Sequence, residues 1–379
     1  MTSRERLKTV LAGGIPDCVP VAPDFSNMIP AKRTGKPFWD LYLYNDPPIW
    51  EAYIAAAKHF GIDSLMDGYV PLRFPEEVDA WMPGKWEPFI VRREPDRLYV
   101  QWANDGSGKR EWSDFATIYY IADPPTGGVK LDKVGLPRIP ERPEPVEGRK
   151  APDLGPANFA RMKRLLGDQG LIGTGVASTC VLYNEETIYD YYDNPGKYEA
   201  LAVKRVEDAE KRFARIVAMD ERPDFLCVGG SGTLVFQTVE IFRKLALPAV
   251  KRAIELATAA GIPTHIHSCG PEKELVKIMA EETSLTVIDP LEVPPMGDCI
   301  LADLKRRYGH RIVLKGNLHT TEVMLRGSVS DVVRASMKAI DDAAAGGRFI
   351  LSTGDQCGRD TPDENLRAMI ETARTYGRY

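Results

Sequence analysis

From residue 157 onward the chain alternates between two kinds of pattern. Short apolar runs appear at Gly170–Gly175, Asp224–Gly229, Pro263–His267, Leu285–Asp289, Arg311–Gly316 and Arg348–Ser352. Between and after them lie longer stretches in which apolar residues return every three or four positions, at 194–218, 236–260, 272–282, 298–308, 329–345 and 363–376. A short apolar run reads as a buried strand, and a 3.6-residue period as a helix with one buried face. Their regular alternation predicts parallel strands with helices outside. The N-terminal part adds two further units: a helix over 3–12 with a strand at Val19–Pro23, and a helix over 47–60 with a strand at Gly61–Met66. Eight strands predict an α/β fold, a (β/α)8 TIM barrel. A doubly wound open sheet is the competing arrangement, but no Gly-x-Gly-x-x-Gly follows a strand.

Residues 69–135 break this rhythm. They hold four of the six tryptophans and alternating stretches such as Arg97-Leu-Tyr-Val-Gln-Trp102, which predict β-hairpins inserted into the N-terminal half. Residues 136–156 are rich in proline and charge and read as a semi-rigid connector. The expected organisation is one barrel domain over 1–379, carrying that insertion and connector.

Composition narrows the function classes. With 379 residues and 44% hydrophobic positions, a large core is available and disorder is excluded as the main state. The 49 basic and 54 acidic residues leave a net charge of −5, which argues against nucleic acid or an anionic membrane as partner. No apolar run approaches 18 residues and the first residues lack a signal-peptide layout, so the expected location is the cytoplasm. In a reducing compartment the six dispersed cysteines (18, 180, 227, 269, 299 and 357) are core residues, metal ligands or nucleophiles rather than disulfides.

In a (β/α)8 barrel, function gathers where strands run into their helices. The strand ends are Asp24, Asp67, Gly229-Gly-Ser-Gly232, His267-Ser-Cys269-Gly270, Asp289, Asn317 and Asp355-Gln-Cys357. His267 and Cys269 are two apart, so on an extended segment both point to one side. Cys357, at the end of a later strand, faces the same mouth. One imidazole and two thiolates suit tetrahedral zinc with a fourth position left for water or substrate. The other reading of both cysteines is as small buried hydrophobes. His265 alternates onto the same face, but its α-carbon lies roughly 13 Å from that of Cys269 at strand rise, so it reads as a deeper, hydrogen-bonded core histidine. His59, His310 and His319 fall in helical or loop contexts and read as surface or packing residues. Asp355 is a candidate hydrogen-bond acceptor for His267 or a turn former after Gly354. Asp289 and Asn317 are candidates for substrate binding or for helix capping. The Gly229–Gly232 segment suits an anion site or a flexible loop.

These residues resemble the uroporphyrinogen decarboxylase superfamily, and within it the zinc-dependent methyltransferases that work with corrinoid proteins. The resemblance runs through Arg4-Glu-Arg-Leu and Ile15-Pro-Asp-Cys-Val-Pro20, Thr264-His-Ile-His-Ser-Cys-Gly270, Leu314-Lys-Gly-Asn317, Ser352-Thr-Gly-Asp-Gln-Cys357 and Thr361-Pro-Asp-Glu-Asn365. It implies a TIM barrel, Zn2+ held by His267, Cys269 and Cys357, and a corrinoid (cobalamin) carried by a separate partner protein. The implied reaction moves a methyl group between that cobalt and a small methylated donor or a thiol acceptor, with demethylation of the donor slightly preferred because the aromatic-rich 69–135 segment suits a small organic donor. The decarboxylases carry an Arg-rich Gln-Ala-Gly-Arg-Tyr segment near the N-terminus, where this chain has Asp24-Phe-Ser-Asn-Met-Ile-Pro30. No Asp-x-His-x-x-Gly cobalamin motif is present, which implies a transient encounter with the corrinoid protein. A metal-free decarboxylase and a zinc- or corrinoid-binding accessory protein stand as the alternatives.

Overall fold

The computed structural model describes residues 1–77, 86–106 and 110–379, so part of the 69–135 stretch, including Trp81, lies outside the described residues. Its strands, in chain order, are β1 (Ser64–Met66), β2 (Trp86–Glu94), β3 (Arg97–Asn104), β4 (Glu111–Tyr120), β5 (Thr126–Lys130), β6 (Glu144–Pro145), β7 (Gly170–Gly175), β8 (Phe225–Cys227), β9 (Thr264–His267), β10 (Val287–Asp289), β11 (Val313–Leu318) and β12 (Phe349–Thr353). They form two sheets, and the chain divides into two compact units. One comprises Met1–Asp24, Ala57–Val70 and Lys163–Tyr379; the other comprises Phe25–Ala56 and Pro71–Met162.

The first unit holds the parallel sheet, ordered β1-β7-β8-β9-β10-β11-β12, with each strand beside the next in sequence. Between β12 and β1 runs the segment Val19–Ala22. Val21 bridges Leu351 in parallel, Ala22 N–H donates to the Leu351 carbonyl at 2.9 Å, and Asp63 N–H donates to the Val21 carbonyl at 2.8 Å. The segment therefore fills the eighth position, and the (β/α)8 arrangement expected from the alternation is present. It is a bridge rather than a full strand because Pro20 and Pro23 have no N–H to give to a ladder. The buried Asp63 carboxylate locks this closure. It accepts from Val21 N–H at 2.8 Å and from Arg6 at 2.7 Å, and pairs with Arg374 at 2.9 Å.

Side-chain alternation decides what fills the barrel. Ala22, Leu65, Leu171, Phe225, Val287, Val313 and Ile350 form one buried cluster with Leu7, Val10 and Leu11 of the helix Ser3–Leu11. Truncating one of its leucines or Ile350 to alanine costs about 2–5 kcal/mol. Two residues further along each strand the same inward face reappears, and there it carries polar groups: Asp24, Asp67, Cys227, Asp289, Lys315 and Ser352. The apolar floor and the polar layer above it are both consequences of a period of two. Gly173 sits on this face because a Cβ there would meet the Phe225 ring at 2.4 Å.

The predicted helices from 194 to 376 are present, with one informative exception. The stretch 236–260 is split into Thr233–Phe236, Val239–Ile241, a π-turn at Phe242–Ala246 and the helix Leu247–Ala259. Pro248 near the start of the last helix cannot donate to a preceding carbonyl, and the chain widens by one residue just before it.

The second unit holds an antiparallel sheet ordered β5-β4-β3-β2-β6. Ile90, Leu98, Val100 and Tyr119 on its strands bury Leu43, with Trp39 and Tyr42 against them. The Pro-rich stretch 136–156 contributes β6, which pairs with β2 through Phe89 and Ile90. Among the described residues, no helix is long and apolar enough to cross a membrane.

Candidate active site at the mouth of the barrel

Two levels of polar side chains sit above the apolar floor. The lower level is closed on itself. His265, near the middle of β9, is 3% exposed; its Nδ1 lies 2.7 Å from Asp67 Oδ2 and its Nε2 2.8 Å from Asp289 Oδ1. The Cys227 thiol donates to Asp67 Oδ2 at 2.7 Å. The Lys315 ammonium donates to Asp289 Oδ2. Burial by itself would lower the His265 pKa, but the Asp289 and Asp67 carboxylates outweigh it and raise the imidazole to about 9. Burial works against ionisation of Asp67 too, yet His265 holds its carboxyl down at about 2. Asp289 is held well below the usual carboxylate range, with Lys315, His265 and His267 overcoming its burial. The level is a buried alternation of anions and cations, in which each charge offsets the desolvation of its neighbour.

The upper level opens outward. His267, at the end of β9, keeps 24% of its side chain exposed, with Nδ1 3.3 Å from Asp289 Oδ1 and Nε2 3.6 Å from Asp355 Oδ1. Potential ligand atoms of Asp24, His267 and Asp355 lie within 4.8 Å of one another, and so do those of Cys269, Glu292 and Asp355. Asp355 belongs to both groups and joins them into one cup. It holds φ at +97°, a conformation that costs a non-glycine residue about 1–3 kcal/mol and is found mostly at functional positions. Glu292 accepts from the Gly270 N–H and fixes the turn after Cys269. Gly229 permits the close approach of the loop after β8, because a Cβ there would meet the His267 amide nitrogen at 2.5 Å. Burial, with Asp289 nearby, raises the Glu272 carboxyl well above its ordinary value; it accepts from Leu291 N–H at 2.6 Å.

The structure thus brings His267, Cys269 and Asp355 together. Cys357 borders them: its N–H donates to the Asp24 carbonyl at 2.9 Å, and its thiol is buried, which with the Asp24 charge pushes it up to about 12. Among the described residues, no trio containing Cys357 meets the 4.8 Å spacing. Asp289 lies beneath the cup, with His265, His267 and Lys315 around its carboxylate. Asn317 is buried and donates to the Leu291 carbonyl at 2.9 Å, holding the loop after β10. His265 is the deeper core histidine expected from its spacing. His319 caps the π-turn Thr320–Leu325, its Nδ1 accepting from Thr321 and Glu322 N–H at 3.2 Å each. Sequence reasoning gave no role to Lys315, Cys227, Glu272 or Glu292. Lys315 was open to detection: a charged residue two after Val313 on a buried strand must have a buried partner.

A family model described as uroporphyrinogen decarboxylase (URO-D) matches residues 184–376, just over half of the chain. The chain belongs to the uroporphyrinogen decarboxylase family. The match spans β8 to β12 and contains His267, Cys269, Asp289, Asn317, Asp355 and Cys357, while Asp24 and Asp67 lie outside it. Two curated relatives are named methylcobamide:CoM methyltransferase MtbA. The one from Methanosarcina mazei is 27% identical over 163 residues, and the one from Methanosarcina acetivorans 24% identical over 163 residues. In each case the match covers 42% of this chain and 42% of the relative. A solved structure described as a methyltransferase from Methanosarcina mazei superposes over 99% of both chains with a TM-score of 0.58 at 16% identity, which places this member of the uroporphyrinogen decarboxylase family in the same fold.

Proposed function

We propose that this protein is a zinc-containing methyltransferase that moves a methyl group between a small molecule and the cobalt of a corrinoid carried by a separate protein. The observation that carries the reading is the cup: an imidazole and a thiol two residues apart at the end of β9, joined by Asp355, in a chain whose curated relatives are named methylcobamide:CoM methyltransferases.

The donor set fits zinc. His267 has Nδ1 against the Asp289 carboxylate and Nε2 toward the cup, so the carboxylate would orient the ring of a ligating imidazole. His267 and Cys269 would hold the ion with Asp355 beside them, and Cys357, which borders the cup without sharing that spacing, is the third ligand only if its loop moves closer. Bound there, zinc would supply Lewis acidity that keeps a coordinated thiol ionised at neutral pH. The residues around it do the positioning: Asp289 orients the imidazole, Glu292 holds the turn carrying Cys269, and Asn317 holds the loop above β10. Asp24 and Asp355 place negative charge at the rim, which favours a neutral or cationic small substrate over an anionic one.

Two directions share this site, methylation of a thiol and demethylation of a small donor. The name of the curated relatives, methylcobamide:CoM methyltransferase, favours a methylated corrinoid as the methyl donor. The test is to incubate the zinc-loaded protein with methylcobalamin and a panel of small thiols, and separately with Co(I) cobalamin and methoxy or methylamine donors, following the cobalt absorbance. Turnover in either arm supports the reading. Inactivity in both arms, also with a reduced corrinoid protein supplied, would overturn it. Carbon dioxide release from uroporphyrinogen that survives chelation would instead support the metal-free decarboxylase.

A further inference from the structure

A buried carboxylate with three donors around it has only one way to face each of them. Asp289 Oδ2 is taken by the Lys315 ammonium, and Oδ1 lies 2.8 Å from His265 Nε2 and 3.3 Å from His267 Nδ1. Lys315 and Asp289 are both nearly inaccessible, at 6% and 1% exposure. They lie on adjacent strands, with β10 and β11 in parallel register through Val287 with Val313 and Ile288 with Leu314. We propose that Lys315 is a positioning residue for His267, acting through Asp289 to determine which imidazole nitrogen faces the mouth.

The physical argument has two parts. Without the ammonium, Oδ2 would be left buried and unpaired, and the carboxylate would rotate toward other donors. That rotation withdraws a fixed acceptor from His267 Nδ1. His265 cannot compensate, because both of its ring nitrogens are already engaged, one by Asp67 and one by the same Oδ1 atom. The ring of His267 would then lose the constraint that keeps Nδ1 protonated and Nε2 turned toward Asp24, Asp355 and the cup. The consequence for metal binding rests on reading His267 as a ligand; the consequence for the ring does not. Lys315 bonds to Asp289 and not to His267, so it acts through the carboxylate as a positioning residue.

The experiment uses the full chain with 15N-labelled histidine, of which there are five, in wild type and in Lys315→Met, with Lys315→Gln in its place if the methionine variant does not fold. Long-range 15N spectra of the metal-free protein show which His267 nitrogen carries the proton when the ring is neutral. The expected result is Nδ1 in the wild type and a mixture in the variant. Chelator competition then measures zinc affinity, expected to fall about 10–100-fold in the variant, as for other changes behind a ligating histidine. The cobalt(II)-substituted protein should show altered visible bands over the same change. A wild-type ring protonated at Nε2, or a variant with the wild-type nitrogen pattern, overturns the inference whatever the zinc result. A wild type that fails to bind zinc removes the functional reading, and the nitrogen pattern still decides the role of Lys315.

Discussion

The lower and upper levels of the barrel mouth meet on β9, where His265 and His267 are two residues apart, and use the same chemical types. Each has a histidine, a cysteine and carboxylates. In the lower level Asp67, Cys227, His265, Asp289 and Lys315 satisfy one another, with contacts of 2.7–2.8 Å around the imidazole. In the upper level His267 lies 3.3 Å from Asp289 and 3.6 Å from Asp355, wider than the contacts below, while potential ligand atoms of Asp24, Cys269, Glu292 and Asp355 gather around it. Residue type therefore does not distinguish a structural cluster from a reactive one. What distinguishes them is whether the donors are consumed by each other. Groups that saturate one another hold the fold, and the upper level departs from that pattern at His267, whose carboxylate contacts are longer.

The sharpest way to break this comparison is to remove one residue from each level. Cys269→Ala or His267→Ala should lower zinc affinity and methyl transfer more than ~100-fold, since each deletes a first ligand. Thermal unfolding of the metal-free protein should barely move, because neither side chain is part of the floor. Metal analysis and a melting curve on each variant check the pair of outcomes, and retained zinc in both would sink the assignment. His265→Leu should behave the other way. It leaves Asp67 and Asp289 buried and short of a cation, at a cost of about 3–5 kcal/mol, measured by denaturant titration.

A pH series sharpens the contrast further. His265 is raised to about 9 in the folded chain against about 6.5 unfolded. Its contribution is therefore complete below about pH 6.5 and is lost as pH rises through about 9, on the order of 3 kcal/mol. The acid limb has the opposite sign: Asp67, held at about 2, loses its contribution as pH falls from about 4 toward 2. Equilibrium unfolding between pH 6 and 10 should show the alkaline loss in the wild type, and much less of it in a His265→Gln variant. A flat wild-type profile would show that the lower level is not ionic. The smallest effect expected is from Asn317→Ala. Loss of its bond to the Leu291 carbonyl should cost about 1–2 kcal/mol, with the zinc content unchanged.

Much of the fold was legible because parallel barrels repeat one pattern. The runs at 170–175, 263–267 and 348–352 are strands within a residue or two of their predicted limits, since an apolar run with helices on both sides has few other uses. The helix Glu185–Asp193 was not legible. None of its residues is buried, and no apolar run separates it from the helix that follows at Pro195. The closing segment at Val19–Ala22 was legible as extended chain, but its prolines hid how few bonds it would make. The site was legible to the level of His267, Cys269 and Asp355, because strand ends and a spacing of two are visible in one dimension. The partners of Asp289 were not, since Lys315 and His265 reach it across neighbouring strands. The position of Cys357 relative to Cys269 depends on loop geometry for which spacing gives no rule.

The insertion between β1 and β7 has a consequence for the order of assembly. Ser64 pairs with Gly170, whereas every later parallel pair from β7 to β12 joins consecutive strand-helix units. Loop-closure entropy is smallest for those consecutive pairings, larger for the one that spans the insertion, and largest for Val21 with Leu351, which closes the ring. The C-terminal six strands are therefore the fast-forming part of the chain, and the ring is sealed last, when β1 and Val19–Ala22 arrive. Until then the edges of β7 and β12 are open, and a nascent or partly unfolded chain exposes them to pairing with other chains. Aggregation during refolding should accordingly be governed by the kinetics of that final pairing rather than by the stability of the finished barrel.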